Sequence, residues 1–360
     1  MTTDNTRAAI RPGSETRRNL LKTALAGAAA SAGAWPALAR AAETGAFPFA
    51  GHPNWRFVFV NHVTTNPFFV PTQYGIEDAC KLLGCSYQWT GSQTSVASEM
   101  VNSVNAAIAS HADAIAIALV DPQAFNEPVD RALQAGIPVF SYNADVATNH
   151  RLAYIGQDLY QAGRALGEHI ASLVDSGDVA GFIATPGQLN IQPRLDGARD
   201  AIKQSGKNIK LFEVASGATV NEEFSRVEAF YLGHPTLKGM FAVDAGSTEA
   251  IGATMSKHGL AKKGVKAGGF DLLPETLKYI HEGHLDFTID QQPYLQGFYT
   301  VLEMFLFMMS GGLTGPSAIN TGLKFVTAGS VMPYLKTQSR FEGNATAQML
   351  IPRSGPIAAA

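Results

Sequence analysis

From Trp55 onward, short continuous apolar runs alternate with segments whose apolar residues recur at helical spacing. Arg56–Val60, Ser86–Trp89, Ala114–Leu119 and Pro138–Tyr142 read as strands. Between them lie a helical stretch from Phe68 to Leu83, a face repeating every four residues (Val96, Met100, Val104, Ile108), and a helix over 124–135 closed by Gly136. A second series begins with a helix over 159–175 and a strand at Val179–Ala184. It continues with a helix over 194–204, a strand at Lys210–Val214 and a helical face at Phe224, Val227 and Tyr231. Strand Gly239–Val243, helix 247–258, strands Val265–Phe270 and Phe287–Ile289, and helix Tyr294–Met309 complete it. Alternation of this kind predicts an α/β fold, and near-continuous apolar strands predict parallel sheets covered on both faces.

Polar residues cluster where these strands stop. Asp271 follows the run ending at Phe270 and precedes a helix started by Pro274. Asp290–Gln291–Gln292 follows Ile289 and precedes Pro293. Asn143 and Asp145 close the fourth strand, and Asp244 follows Val243. In open parallel sheets that carboxyl edge is where ligands bind, so the pattern predicts a polar crevice for a small, neutral, hydrogen-bonding ligand. A cap on the helix at Pro274 is the alternative role for Asp271, and one residue can serve both.

At 360 residues the chain suits two domains, and 46 % hydrophobic with 16 % charged residues is ordinary for a globular protein. Of 27 Lys/Arg and 30 Asp/Glu, six basic and two acidic side chains lie in residues 1–42. The remaining 21 and 28 give a body of net charge −7, which argues against nucleic-acid binding. Residues 1–42 read as a removable export signal. Thr16–Arg17–Arg18–Asn19–Leu20–Leu21–Lys22 resembles a twin-arginine motif, and the Ala/Gly-rich run after it ends in small-residue cleavage candidates. That run is too short and weakly apolar to span a bilayer, so a soluble periplasmic protein is expected after cleavage. Residues 343–360 read as a flexible tail.

Cys80 and Cys85 stand too far apart for a bridge along a continuous helix, so packed or free thiols are expected unless the chain turns at Gly84. Neither a metal site nor a cofactor is expected. The sequence lacks the serine-hydrolase elbow, the zinc-protease helix, the phosphate loop and a dinucleotide fingerprint after a strand. His281–Glu282–Gly283–His284 reads as a polar helix end. Asp271 and Asp290 could be posed as a glycosidase pair, though nothing else in the sequence supports hydrolysis.

Several segments in order resemble one family, the periplasmic sugar-binding proteins of the ribose-binding type that serve ABC importers. Asn66–Pro67–Phe68–Phe69 resembles its first ligand loop, and Gly136–Ile137–Pro138–Val139 the segment before its second. Val265–Asp271 and Gly283–Gln291 resemble its VVGFD and GKLxATIAQ segments. The resemblance covers about residues 54–330. It implies two doubly wound α/β lobes, 54–157 plus 292–322 and 158–291 plus 323–342, joined by three crossings near Gln157, Gln291–Gln292 and Gly322.

It also implies ligand contacts. Asp271 would accept from two vicinal hydroxyls, Gln291 would bond at the hinge, and Asn66 would contact the ligand before Pro67. Phe68 and Phe69 would stack on it, although one of them can equally be ordinary core. Arg194 would supply a guanidinium, with Gln192 as the competing residue. Asn143, Asp145 and Asp244 fall at further family positions. Where ribose binders carry Asp-Arg, this chain has Asn143–Ala144, and no aromatic stands near Ala218. Ribose is therefore not assigned, and a pentose, a cyclitol or a sugar alcohol is expected. The implied partner is an ABC membrane permease for a monomeric, non-catalytic receptor. A periplasmic sensor subunit and a secreted carbohydrate-acting enzyme are the alternatives.

Overall fold

The computed structural model describes residues 51–313 and 315–336, so the leader and the tail lie outside the described residues. Two six-stranded sheets form the frame. The first contains β1 (Arg56–Asn61), β2 (Ser86–Gly91), β3 (Ala114–Ile117), β4 (Val139–Tyr142), β5 (Tyr154–Gly156) and, from far along the chain, β11 (Ala318–Asn320), in the order β11-β5-β4-β3-β1-β2. The second contains β6 (Ser176–Ile183), β7 (Asn208–Ala215), β8 (Gly239–Ala242), β9 (Lys266–Phe270), β10 (Phe287–Asp290) and β12 (Lys324–Thr327), in the order β12-β10-β9-β8-β6-β7. All neighbours are parallel except β10 and β12.

The α/β expectation holds, because β3, β4, β8 and β10 are buried at every residue. Helices cover both faces: α1 (Val70–Leu83), α2 (Ala97–Ala109), α3 (Asn126–Gln134), α4 (Leu159–Leu173), α5 (Gln192–Gln204), α6 (Val220–Gly233), α7 (Ala245–His258), α8 (Pro274–His281), α9 (Pro293–Met309) and α10 (Met332–Lys336). Among the described residues no helix is long and apolar enough to cross a membrane.

The pattern reading missed β5, β11 and β12. Each has only three or four residues, and β11 (Ala-Ile-Asn) has no apolar run to mark it. They are strands because a neighbour supplies the ladder: Tyr154 pairs with Ala318, and Lys324 with Asp290.

The chain crosses between sheets three times: after β5, after β10, and between β11 and β12. The crossings are tied to one another. Gln157 Nε2 donates to Gly322 O at 3.1 Å, Thr321 Oγ1 to Gln291 O at 2.9 Å, and Gln292 Nε2 to Thr321 O.

In each sheet the strand order reverses direction next to its first strand, between β1 and β3 and between β6 and β8. A crevice opens at the carboxyl ends of such strands. One close approach sets its depth. A Cβ on Gly163 would lie 2.0 Å from Arg194 O, and one on Gly197 would lie 2.2 Å from Tyr160 O. Only glycine lets the backbones of α4 and α5 touch there, and that contact seats the start of α5 on the core beside the second sheet.

Candidate functional site

The strand-end residues converge on one cavity. His62, Asn66, Phe68, Phe69 and Asn143 reach it from the first sheet's side, and Asn190, Arg194, Asp244, Asp271 and Gln291 from the second. It is small, with about 50 Å³ of room for a water-sized occupant, and it opens to solvent at its mouth.

A directed chain of amides runs along its floor. Asn143 Nδ2 donates to Gln296 Oε1 at 3.2 Å, Gln296 Nε2 to Gln291 Oε1 at 3.0 Å, and Gln291 Nε2 to Asp271 Oδ1 at 2.7 Å. The carboxylate at the end can only accept while ionised, so it orients every amide before it. Asp271 is 4 % exposed; burial pushes its pKa up to about 7, against the pull of Arg194 and the Gln291 hydrogen bond. Its φ of 78° lies in the left-handed region, as do those of Asn143 (64°) and Gln292 (57°). Such conformations cost energy in non-glycine residues and gather at functional sites.

The capping alternative for Asp271 is set aside. The residue preceding α8 is Leu273, with no side-chain cap, and the Asp271 carboxylate is turned toward Gln291 instead.

Arg194 faces Asp271 across the cavity floor and is 2 % exposed. Nη1 donates to Val243 O and Nη2 to Gln157 Oε1, both at 3.0 Å, while the guanidinium carbon lies 4.1 Å over the Phe270 ring. Its Nε has no partner. Burial lowers its pKa, and Asp271, Tyr154 and Asp244 draw it back up. Gln192, the competing residue, is spent locally: it accepts from Gly187 N and donates to Asp196.

Asn66 Oδ1 accepts from Phe68 N at 2.9 Å, shaping the turn and leaving its amide nitrogen for other partners. Phe68 and Phe69 both line the cavity. Phe69 is also core, packed edge-on against His62 at 5.3 Å and against Trp89 at 5.9 Å. Asp145 is the correction. It does not line the cavity: Arg151 holds it through Nε at 2.8 Å and Nη2 at 2.5 Å, and Ser141 Oγ donates to it at 2.7 Å. A carboxylate so paired points along its own loop.

A family model described as a periplasmic binding protein domain matches residues 57–308. The chain belongs to that family. The binding protein is 51 % identical to the xylose/arabinose-binding protein of Sulfolobus acidocaldarius over 82 % of this chain and 76 % of that protein. It is 25 % identical to the ribose import binding protein of Escherichia coli over 63 % of this chain and 76 % of that one. The crystal structure of an ABC transporter solute-binding protein from Burkholderia graminis, in complex with D-arabinose, superposes with a TM-score of 0.74 at 27 % identity. That match covers 80 % of this chain and all of the other.

Four residues in or behind the binding protein's cavity walls escaped the sequence reading. His62 and Asn190 meet across the cleft, with His62 Nε2 3.1 Å from Asn190 Nδ2. Burial pushes the histidine down to about 3, so the ring is neutral. Gln296 sits one turn into α9 and carries the amide chain. Glu223 lies beside Asp244, and Gly246 admits it, since a Cβ there would lie 2.0 Å from Glu223 Oε2. Burial raises the Asp244 pKa, and the bonds it accepts from Ser247 N and Ala184 N, both at 2.9 Å, offset part of that rise. Desolvation and the Asp244 charge push Glu223 up to about 9, and Glu223 keeps the proton. Asn61–His62 at the end of the first strand was the one available hint, a polar pair ending an apolar run.

The loop that carries Asn190 closes the binding protein's cleft. Gln188 bonds Ser95 through both ends of its amide, at 2.7 and 3.1 Å, and Leu189 N donates to Val120 O at 2.9 Å. Adjoining it, a second small cavity of about 60 Å³ is lined by Ser95, Thr185, Ala218 and Glu223. Among the described residues six buried side-chain polar atoms lack a partner. Three of them, His62 Nδ1, Asn190 Oδ1 and Arg194 Nε, belong to residues lining the main cavity. Leaving such atoms unpaired costs about 1–3 kcal/mol each, so the walls are built for an occupant that both donates and accepts. Among the described residues no group of His, Cys, Asp and Glu could hold a metal ion.

Proposed function

We propose that this chain is the substrate-binding component of an ABC sugar importer. In this reading it captures a neutral pentose in the cleft between two lobes, 54–157 plus 292–322 and 158–291 plus 323–342, and delivers it to a membrane permease. The observation that carries the reading is the oriented amide chain ending at Asp271 opposite the half-satisfied Arg194. Vicinal hydroxyls donate to the carboxylate, other ring or hydroxyl oxygens accept from Arg194, Asn66 and His62, and Phe68 and Phe69 cover the C–H faces. A pentose is preferred to a cyclitol or polyol because the relative from Sulfolobus acidocaldarius is named for xylose and arabinose, and the Burkholderia graminis protein holds arabinose.

The ligand touches residues of both lobes, so it binds the closed state better and drives closure. Export by the twin-arginine route, a periplasmic location and a monomeric state complete the proposal. Capture without turnover is part of the proposal: Asp271 is held by Gln291, and Asp244 by Ala184 N and Ser247 N.

A thermal-shift screen over pentoses, hexoses, cyclitols and sugar alcohols tests the class. A true ligand at 100 times its Kd adds about 2.7 kcal/mol of stability. If no sugar raises the midpoint, the assignment is wrong; product formation from a stabilising sugar would bring back the enzyme reading.

Binding is also expected to depend on pH. Hydroxyl donors favour ionised Asp271, whose pKa in the free protein is pushed up to about 7. Affinity therefore falls as pH drops below that value and levels off above it, with proton release on binding near neutrality. Titration calorimetry in two buffers of different ionisation heat, on either side of pH 7, reads both effects. A flat profile would remove Asp271 from the binding step.

A further inference from the structure

We propose that Cys80 and Cys85 are an intrachain oxidation site, closing to a disulfide that staples the end of α1 when the protein meets an external disulfide. On a continuous helix, residues five apart stand about 140° around and ~7.5 Å along, out of bonding reach. The structure does not continue the helix. Gly84 turns left-handed at φ 71°, ψ 37°, and both Gly84 N and Cys85 N donate to Cys80 O, at 2.9 and 3.1 Å. The second of these bonds defines a helix terminus in which the residue two past the last helical one folds back over the residue near the end of the final turn. Those two positions are Cys85 and Cys80.

Their side chains meet as this geometry requires. Cys85 Sγ lies 3.9 Å from Cys80 O, so the second thiol is folded back onto the residue that carries the first. Cys80 is buried in the first core at 4 % exposure, while Cys85 is only half-buried at its margin. An external disulfide can therefore reach Cys85 and not Cys80. The neighbouring Cys80 lowers the Cys85 pKa, while Cys85 and burial raise that of Cys80, so the accessible Cys85 is the attacking sulfur.

The exchange balances without another reagent. The Cys85 thiolate attacks the external disulfide, whose S–S bond breaks to release one thiolate and leave a mixed disulfide. Cys80 then gives its proton to that thiolate, and its sulfur attacks Cys85 Sγ, expelling the second thiolate, which takes up from solvent the proton that Cys85 gave up. Two electrons pass from the cysteines to the external disulfide, which leaves as two thiols. These are the chain's two cysteines, so only one intrachain pairing exists. Periplasmic compartments supply such oxidants.

The staple lies at the far end of α1 from Phe68 and Phe69, about 20 Å away along a 14-residue helix. It is expected to raise stability and leave sugar binding unchanged. Its test does not depend on the sugar assignment.

The full chain is incubated with oxidised glutathione. Thiols are then counted under denaturing conditions, the intact mass is measured, and thermal midpoints are compared before and after reduction. Expected are joint loss of both thiols, a mass lower by two hydrogens, and a higher midpoint that falls back on reduction. Cys85→Ala should show no oxidation, and Cys80→Ala should stop at a glutathione adduct on Cys85. If Cys80→Ala does not fold, blocking wild-type Cys85 with an alkylating reagent replaces it and should leave Cys80 as a free thiol. Two persistent thiols, or a stable glutathione adduct on the wild-type chain, would overturn the proposal.

Discussion

Asp271→Asn is expected to weaken sugar binding by about 10²- to 10⁴-fold while the fold survives. The carboxylate is proposed to accept two hydroxyl hydrogens, and hydrogen bonds to a charged group contribute about 1.5–3 kcal/mol each. Loss of both, at about 1.4 kcal/mol per tenfold, sets that range. Asparagine keeps the shape, and its oxygen can still accept from Gln291 Nε2, so the amide chain from Asn143 stays satisfied. The free protein should be no less stable, because burial already works against the Asp271 charge. Calorimetry with the sugar found in the screen, alongside urea unfolding, reads the two effects apart. Undiminished affinity would reduce Asp271 to a structural acceptor for Gln291.

Arg194→Met is expected to damage both properties. The substitution retains much of the side-chain volume but removes bonds to Val243 O and Gln157 Oε1 and the contact over Phe270. It also removes the positive charge that holds the Asp271 pKa down. Leaving the buried Val243 O and Gln157 Oε1 without their donor costs about 1–3 kcal/mol each, so a loss of about 2–4 kcal/mol in unfolding free energy is expected, with sugar binding abolished. The double variant with Asp271→Asn should recover part of the stability and none of the binding. Additive effects in that cycle would show that the two groups do not interact.

The strand-end acids were legible because a polar residue that ends an apolar run is a local signal. Asp271, Gln291, Asn143 and Asp244 were found that way or by motif, and all line the cavity. Asp145 carries the same local signal and fails, because Arg151, six residues on, takes its carboxylate in a two-point pairing that no periodicity announces. Arg194 and Gln192 were indistinguishable in sequence. The seating of α5 on Gly163 turns the former inward and leaves the latter to its own loop.

His62, Asn190 and Gln296 gave still less warning, since each acquires its role from a partner at least five residues away, in one case 128 residues along the chain. What the sequence alone determined is the order of strands and helices, the α/β class and the polar strand ends, because each depends on spacing within a single segment. Tertiary structure decided which of those ends meet, which charge faces which, and that the chain doubles back at Gly84. Those depend on how separate segments pack, and burial then sets the protonation of Asp271, Glu223 and His62.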